Sequence, residues 1–176
     1  SMTSNAHYLK QYAHDLKMAG LDDLNISLDS LDATQFLKMT KKSIVPVLAG
    51  ICAAQQEGLK LKINAVLMKG VNDNQIVPLT EWALQQRIQL RFIEFMPLDG
   101  EQNWTHADVV SEVEILAVLK QHFQVELKEQ QGSDPARIYH INGQRLGIIS
   151  TISHSFCGQC DRLRINAQGE LLNCLF

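Results

Sequence analysis

The chain has 176 residues, 45% of them hydrophobic and 20% charged, an ordinary globular composition with enough length to bury a core as one domain, or as one with a small appendage. Its formal net charge of −3 excludes a global field that draws it to nucleic acid or an anionic membrane, so any anion must be held by local lysines and arginines. No apolar run approaches a membrane span and the opening does not read as a signal peptide, so the four cysteines point to a reducing, cytoplasmic setting in which clustered thiols are metal ligands before they are disulfides.

Ser1-Met2 reads as an expression scar, and both ends read as cut. Met2 to Asn5 reads as the exit of a strand, with Asn5 capping a helix in which Leu9, Tyr12, Ala13 and Leu16 recur at helical spacing and Gly20 ends the run. Leu24 to Asp29 is a strand. Leu24, Ile26 and Leu28 face one way; Asn25, Ser27 and Asp29 face the other. Asp32 caps a short helix through Met39, and Pro46 opens another that closes at Gly58. Cys52 lies in that second helix among apolar neighbours and reads as a buried core thiol.

Leu61 to Met68 is a second strand, with Lys62, Asn64 and Val66 on one face. Gly70 to Asp73 is a turn, Asn74 caps a helix to about Gln86, and Leu90 to Met96 is a third strand stopped by Pro97. Strands and helices alternating at this spacing imply a parallel sheet. Parallel strands are usually apolar on both faces, whereas here Asn25, Ser27, Asp29, Lys62, Asn64 and Glu94 are expected along one side. The expected fold class is therefore α/β, a barrel or open barrel whose polar lumen holds a polar ligand near the carboxyl ends of the strands. A buried polar network without a ligand, or a salt bridge from Lys62 to Glu94 or Asp29, is the alternative.

After Pro97 the pattern becomes α+β. Ser111 and Glu114 form a capping box before Ile115, Leu116, Leu119 and Phe123. Arg137 to Ile141 and Gln144 to Ile149 form a hairpin across Asn142-Gly143. The division expected is residues 1–98 as a partial (β/α) barrel and 99–176 as a C-terminal region.

That region ends in Phe156-Cys157-Gly158-Gln159-Cys160-Asp161-Arg162-Leu163-Arg164 and, further on, Cys174-Leu175-Phe176. Cys157 and Cys160 have the C-x-x-C spacing at which two thiolates hold one metal centre. A hairpin folding about Ala167 sets Cys174 opposite Cys160, with Arg162 and Arg164 on the face of Cys160. The spacing admits structural zinc, with His154 as a fourth ligand, an iron–sulfur cluster, or thiols that bind no metal. The count of three favours iron, because a three-cysteine cluster leaves one iron open, and the flanking guanidiniums suit a phosphorylated ligand.

Taken in order, Thr3-Ser4-Asn5-Ala6, the Asn25–Asp32 run N-I-S-L-D-S-L-D, Lys62-Ile63-Asn64, Lys69-Gly70-Val71-Asn72-Asp73, Arg91-Phe92-Ile93-Glu94-Phe95-Met96-Pro97 and the Phe156–Phe176 segment resemble the MoaA family, the radical S-adenosylmethionine GTP 3',8-cyclases of molybdenum cofactor biosynthesis, over essentially the whole chain. The resemblance implies the later half of an incomplete parallel TIM-like (β/α) barrel, plus a C-terminal α+β region carrying a cysteine cluster site. It implies a lyase that converts GTP to a cyclic pterin precursor through a 5'-deoxyadenosyl radical made from S-adenosylmethionine. Cys157, Cys160 and Cys174 match the ligands of a 4Fe–4S cluster whose open iron takes the purine. Arg162, Leu163, Arg164, Lys62 and Thr3 match GTP contacts; Ser27 and Met96 match S-adenosylmethionine contacts.

The family's N-terminal C-x-x-x-C-x-x-C triad, which holds a second 4Fe–4S cluster, does not occur among these residues. The chain is therefore expected to be a truncated piece, inactive alone, with an open barrel edge near Thr3 where it self-associates as a homodimer. The contrasting reading from another class is a non-catalytic, zinc-ribbon-like nucleotide-binding module.

Overall fold

The structure, a computed structural model, describes residues 1–97, 104–127, 134–154 and 163–173. The elements follow in the order β1 (Met2–Ser4), α1 (Leu9–Met18), β2 (Asp23–Ser27), α2 (Ala33–Thr40), α3 (Val45–Gln56), β3 (Lys60–Leu67), α4 (Ile76–Gln86), β4 (Gln89–Glu94), α5 (Glu112–His122), β5 (Val125–Leu127), β6 (Arg137–Ile141), β7 (Gln144–Ile149), β8 (Arg164–Ile165) and β9 (Leu171–Leu172). The first seven strands form one sheet in the order β1-β2-β3-β4-β7-β6-β5. Strands β1 to β4 are parallel, β7 joins β4 in parallel, and β6 and β5 complete the sheet antiparallel. A parallel-rich α/β sheet is thus present, and the hairpin after residue 98 extends it instead of packing apart from it.

One face of the sheet carries the core. Leu24, Ile26, Leu28, Ile63, Ala65, Leu67, Leu90, Phe92, Leu146 and Ile148 are buried in one cluster with Leu9, Ile51, Leu79 and Ile115 of the helices. Each fully buried aliphatic side chain contributes roughly 1.5–3 kcal/mol of transfer free energy. Helices α1 and α3 meet at Gly50, where an added Cβ would lie 2.5 Å from the Ala6 carbonyl oxygen and 2.9 Å from Leu9 Cβ. Any larger residue there forces the two helices apart.

Local signals account for most boundaries. Asp32 caps α2, its carboxylate accepting from the Gln35 N–H at 2.7 Å, and Ser111 and Glu114 form the reciprocal box on α5. Asn142 and Gly143 take positive φ, 48° and 83°, as a two-residue hairpin turn of this hand requires. Two expected caps are not caps. Tyr8 stands at the N-cap of α1, while Asn5 accepts from the His7 N–H; Asp73–Gln75 form a short 3-10 turn ahead of α4, placing Gln75 and not Asn74 at its N-cap. In each case the chain turns once more before the helix starts, so the expected cap, three residues before the N-cap of α1 and one before that of α4, is not the residue at the helix start.

Three further expectations are corrected. Cys52 is exposed: α3 buries Val47, Gly50, Ile51 and Ala54, and one position past Ile51 rotates the thiol to the solvent side. The β8–β9 hairpin pairs Arg164 with Leu172 and Ile165 with Leu171, so it folds about Gln168, one residue later than Ala167. Glu94 lies on the helix-covered face and not beside Asn64, as the site below makes plain.

Candidate functional site

The pairing registers set side chains of neighbouring strands in rows across the face opposite the helices. Thr3, Asn25, Lys62 and Gln89 form one row. Ser27, Asn64, Arg91 and Gly147 form the next, and Val66, Ile93 and Ile149 the third. Of the polar members, Thr3 and Ser27 are exposed, whereas Asn25, Lys62, Asn64 and Arg91 are half-buried. The structure therefore sets Ser27 and Lys62 on one face as the alternation implied, with Thr3 on the same face. Met96 is half-buried two residues beyond the end of β4.

Three polar atoms on this face, Asn25 Oδ1, Asn64 Oδ1 and Arg91 Nε, are buried without a hydrogen-bond partner. Buried polar groups in proteins are nearly always partnered, and each one left alone costs roughly 1–3 kcal/mol. Lys62 forms an ion pair with Asp23, Nζ to Oδ1 at 3.5 Å, and not with Glu94 or Asp29. The Arg91 guanidinium, with its side chain 17% exposed, has Asp134 at 4.0 Å. Two cations thus stand in adjacent rows, each with an asparagine on the neighbouring strand, Asn25 beside Lys62 and Asn64 beside Arg91.

Sequence reasoning quoted Arg91 in a motif but gave it no role. The signal was present: on β4, Glu94 has the parity of Leu90 and Phe92, so the residue that belongs with Asn64 is Arg91. Asp29 is also less a ligand group than expected. Its carboxylate accepts from the Val66 N–H at 2.8 Å and so continues the β2–β3 ladder beyond Ser27. Burial pushes its pKa up, partly offset by that N–H.

The helix-covered face holds a different polar cluster. Glu94, 0% exposed, accepts from the N–H of Glu112 at 3.0 Å and from the N–H groups of Ile152 and Ser153 at 2.8 Å each. Glu112, 2% exposed, accepts from Tyr139 Oη at 2.5 Å and Ser150 Oγ at 2.7 Å, and pairs with Arg137 at 3.3 Å and His154 Nδ1 at 3.1 Å. Burial and the Glu112 carboxylate hold the Tyr139 hydroxyl well above its usual pKa. These carboxylates tie β4, α5, β6 and the turn after β7 together. His154, a candidate fourth zinc ligand by position, spends Nδ1 on Glu112.

A third device is Asn72, also fully buried. Its amide donates to the Asp29 and Val66 carbonyls at 2.8 Å each, and its Oδ1 accepts from the Met68 N–H at 2.7 Å. It clamps the loop after β3, which explains its presence in the Gly70–Asp73 turn. Among the C-terminal candidates, Leu163 and Arg164 are exposed at the start of the β8–β9 hairpin. Cys157, Cys160, Arg162 and Cys174 lie outside the described residues.

A parallel-rich sheet with one helix-covered face and one polar face places the chain in the α/β class. The family models narrow this. Residues 88–176 match the Molybdenum Cofactor Synthesis C model and residues 1–83 match the Radical SAM superfamily model. The chain belongs to the Molybdenum Cofactor Synthesis C family, and its first half is similar to the Radical SAM superfamily. It is 43% identical over 187 residues to a GTP 3',8-cyclase of Corynebacterium glutamicum (strain R), covering 100% of this chain and 49% of that protein. It is 40% identical to the GTP 3',8-cyclase of Streptomyces coelicolor, 100% of this chain and 53% of that protein, and 36% identical to that of Staphylococcus aureus (strain Mu3), 99% and 53%. The chain thus spans about half the length of the curated relatives it matches.

Proposed function

We propose that this chain is the substrate-binding half of a GTP 3',8-cyclase, a radical S-adenosylmethionine lyase of molybdenum cofactor biosynthesis, and that its sheet is part of a TIM-like barrel. The observation that carries the reading is the two adjacent rows that hold Asn25 with Lys62 and Asn64 with Arg91, two cations and two buried amide oxygens with hydrogen-bonding capacity left over. A nucleoside triphosphate suits this set: its anionic oxygens suit Lys62 and the Arg91 guanidinium, whose Nε–H has no partner, and its hydroxyl or amino groups donate to the two amide oxygens. Thr3 extends the row of Asn25 and Lys62 toward β1, and Arg162, Leu163 and Arg164 add the contacts that the family resemblance implies. Ser27, at the end of β2, and Met96, just past β4, are the residues we assign to S-adenosylmethionine.

The donor set at the C-terminal motif, three thiolates from Cys157, Cys160 and Cys174, suits a 4Fe–4S cluster with one open iron better than a closed zinc site, which wants four ligands. When bound, such a cluster supplies a Lewis-acidic iron for the purine. The chain's own residues would bind and orient the triphosphate and ribose beside it. No C-x-x-x-C-x-x-C run occurs in the 176 residues, so this chain alone is expected to give no turnover. At the other end, β1 is the outermost strand of the described sheet, and a further strand or a second copy would pair along it.

Equilibrium titration with GTP tests the reading. Lys62→Met and Arg91→Met should each weaken binding by about tenfold or more while leaving the melting temperature nearly unchanged. Wild-type affinity in both variants would sink it. Iron, sulfide and zinc contents of anaerobically purified protein test the metal. About four irons and four sulfides per chain support the cluster; one tightly held zinc without sulfide supports the zinc-ribbon-like module.

A further inference from the structure

Gly147 sits in the interior of β7, where a glycine weakens a strand and needs a reason. Its φ is not positive, so the reason is not backbone conformation. It is space. An ideal Cβ at residue 147 would stand 3.1 Å from Arg91 Cγ and 3.2 Å from Ala136 Cβ. Arg91 is the parallel-register partner of Gly147, so the stem of its side chain lies over the bare α-carbon, with the small Ala136 as the facing wall.

We propose that Gly147 and Ala136 form a slot that positions the Arg91 guanidinium for an anionic ligand on the polar face; this rests on the nucleotide reading above and names a device that serves it. The contact falls at Cγ, near the root of the side chain. A displacement of a few tenths of an ångström there is levered outward through three more bonds to the guanidinium carbon, and hydrogen-bond geometry tolerates little such error. Neither residue touches the ligand: both act through Arg91 and are positioning residues. Arg91 Nε, buried and without a partner, is the donor whose direction the slot sets.

The test reads the side chain and the ligand separately. In the wild-type chain, the Arg91 Nε–Hε signal in a nitrogen-15 NMR spectrum should be resolved and slow to exchange; a signal averaged into the free-arginine position overturns the slot without any variant. Gly147→Ala should move that signal and weaken binding of GTP and of inorganic triphosphate by about tenfold. In an Arg91→Gln background the same change should cost nothing further, which separates positioning from general damage to the strand. Adding Ala136→Gly to Gly147→Ala should recover part of the lost affinity. An unmoved Arg91 signal in Gly147→Ala overturns the inference whatever GTP does. A moved signal in a chain that binds neither ligand keeps the slot and overturns the nucleotide reading instead.

Discussion

The two faces of the sheet both carry polar side chains, and they treat them in opposite ways. On the helix-covered face every carboxylate oxygen of Glu94 and Glu112 is taken by backbone N–H groups, hydroxyls, a guanidinium or an imidazole of the same chain. On the opposite face Asn25, Asn64 and Arg91 each keep a buried polar atom with no partner. Buried polar groups completed by the protein are architecture; groups the protein leaves incomplete are where a ligand completes them. Two asparagines make the contrast at fixed chemistry: Asn72 has both ends of its amide engaged, and Asn64 has an oxygen with nothing to accept.

The largest effect should come from breaking the completed cluster. Glu112→Ala strands Arg137, Tyr139, Ser150 and His154 at once and is expected to cost about 3–5 kcal/mol in urea denaturation. A loss under about 1 kcal/mol would erase the distinction between the faces. Next, Asn72→Ala orphans two carbonyls and one N–H and should cost about 2–3 kcal/mol. Asn64→Leu should go the other way, neutral or stabilising by up to about 1 kcal/mol, because it removes an unsatisfied buried acceptor. Its GTP affinity should nonetheless fall. If both asparagine variants destabilise alike, the polar face is a structural network after all.

The smallest effect concerns the surface pair of Lys69 and Glu114, with the Glu114 side chain 43% exposed. The Lys69 ammonium and then the Ser111 hydroxyl and N–H depress the Glu114 carboxyl to about 2. A depressed folded-state pKa means the stabilisation is fully present above the ordinary value of 4.5 and is lost as pH falls toward 2. Glu114→Gln should therefore melt slightly below wild type near neutral pH, by under about 1 kcal/mol given solvent screening, and match it near pH 2. A gap that persists at pH 2 would assign the effect to the capping box instead of the charge.

Much of the fold was legible because its signals are local. The period-2 alternation of Leu24, Ile26 and Leu28 against Asn25 and Ser27, the Asp32 cap, the Ser111–Glu114 box and the Asn142-Gly143 turn each act within a few residues, and each stands as read. Of the candidate residues, the same alternation put Ser27 and Lys62 on one face, where the register sets them, and Thr3, named only by the family resemblance, falls on that face too. Arg91 was missed and Glu94 misplaced because β4 had to be registered against β3, and a shift of one residue exchanges the two faces.

The sequence by itself determined the order of strands and helices, the presence of a polar face, the thiolate motif and the family, since periodicity, capping chemistry and motif spacing are written along the chain. Only the tertiary structure decided which polar groups find partners. Glu94 meets Ser153 and Ile152 from 58 or 59 positions away, and Gly147 makes room for Arg91 across a strand pair that no local rule anticipates. Hydrogen-bond satisfaction and close packing are set by distance in space, which the chain fixes only once its distant parts have come together.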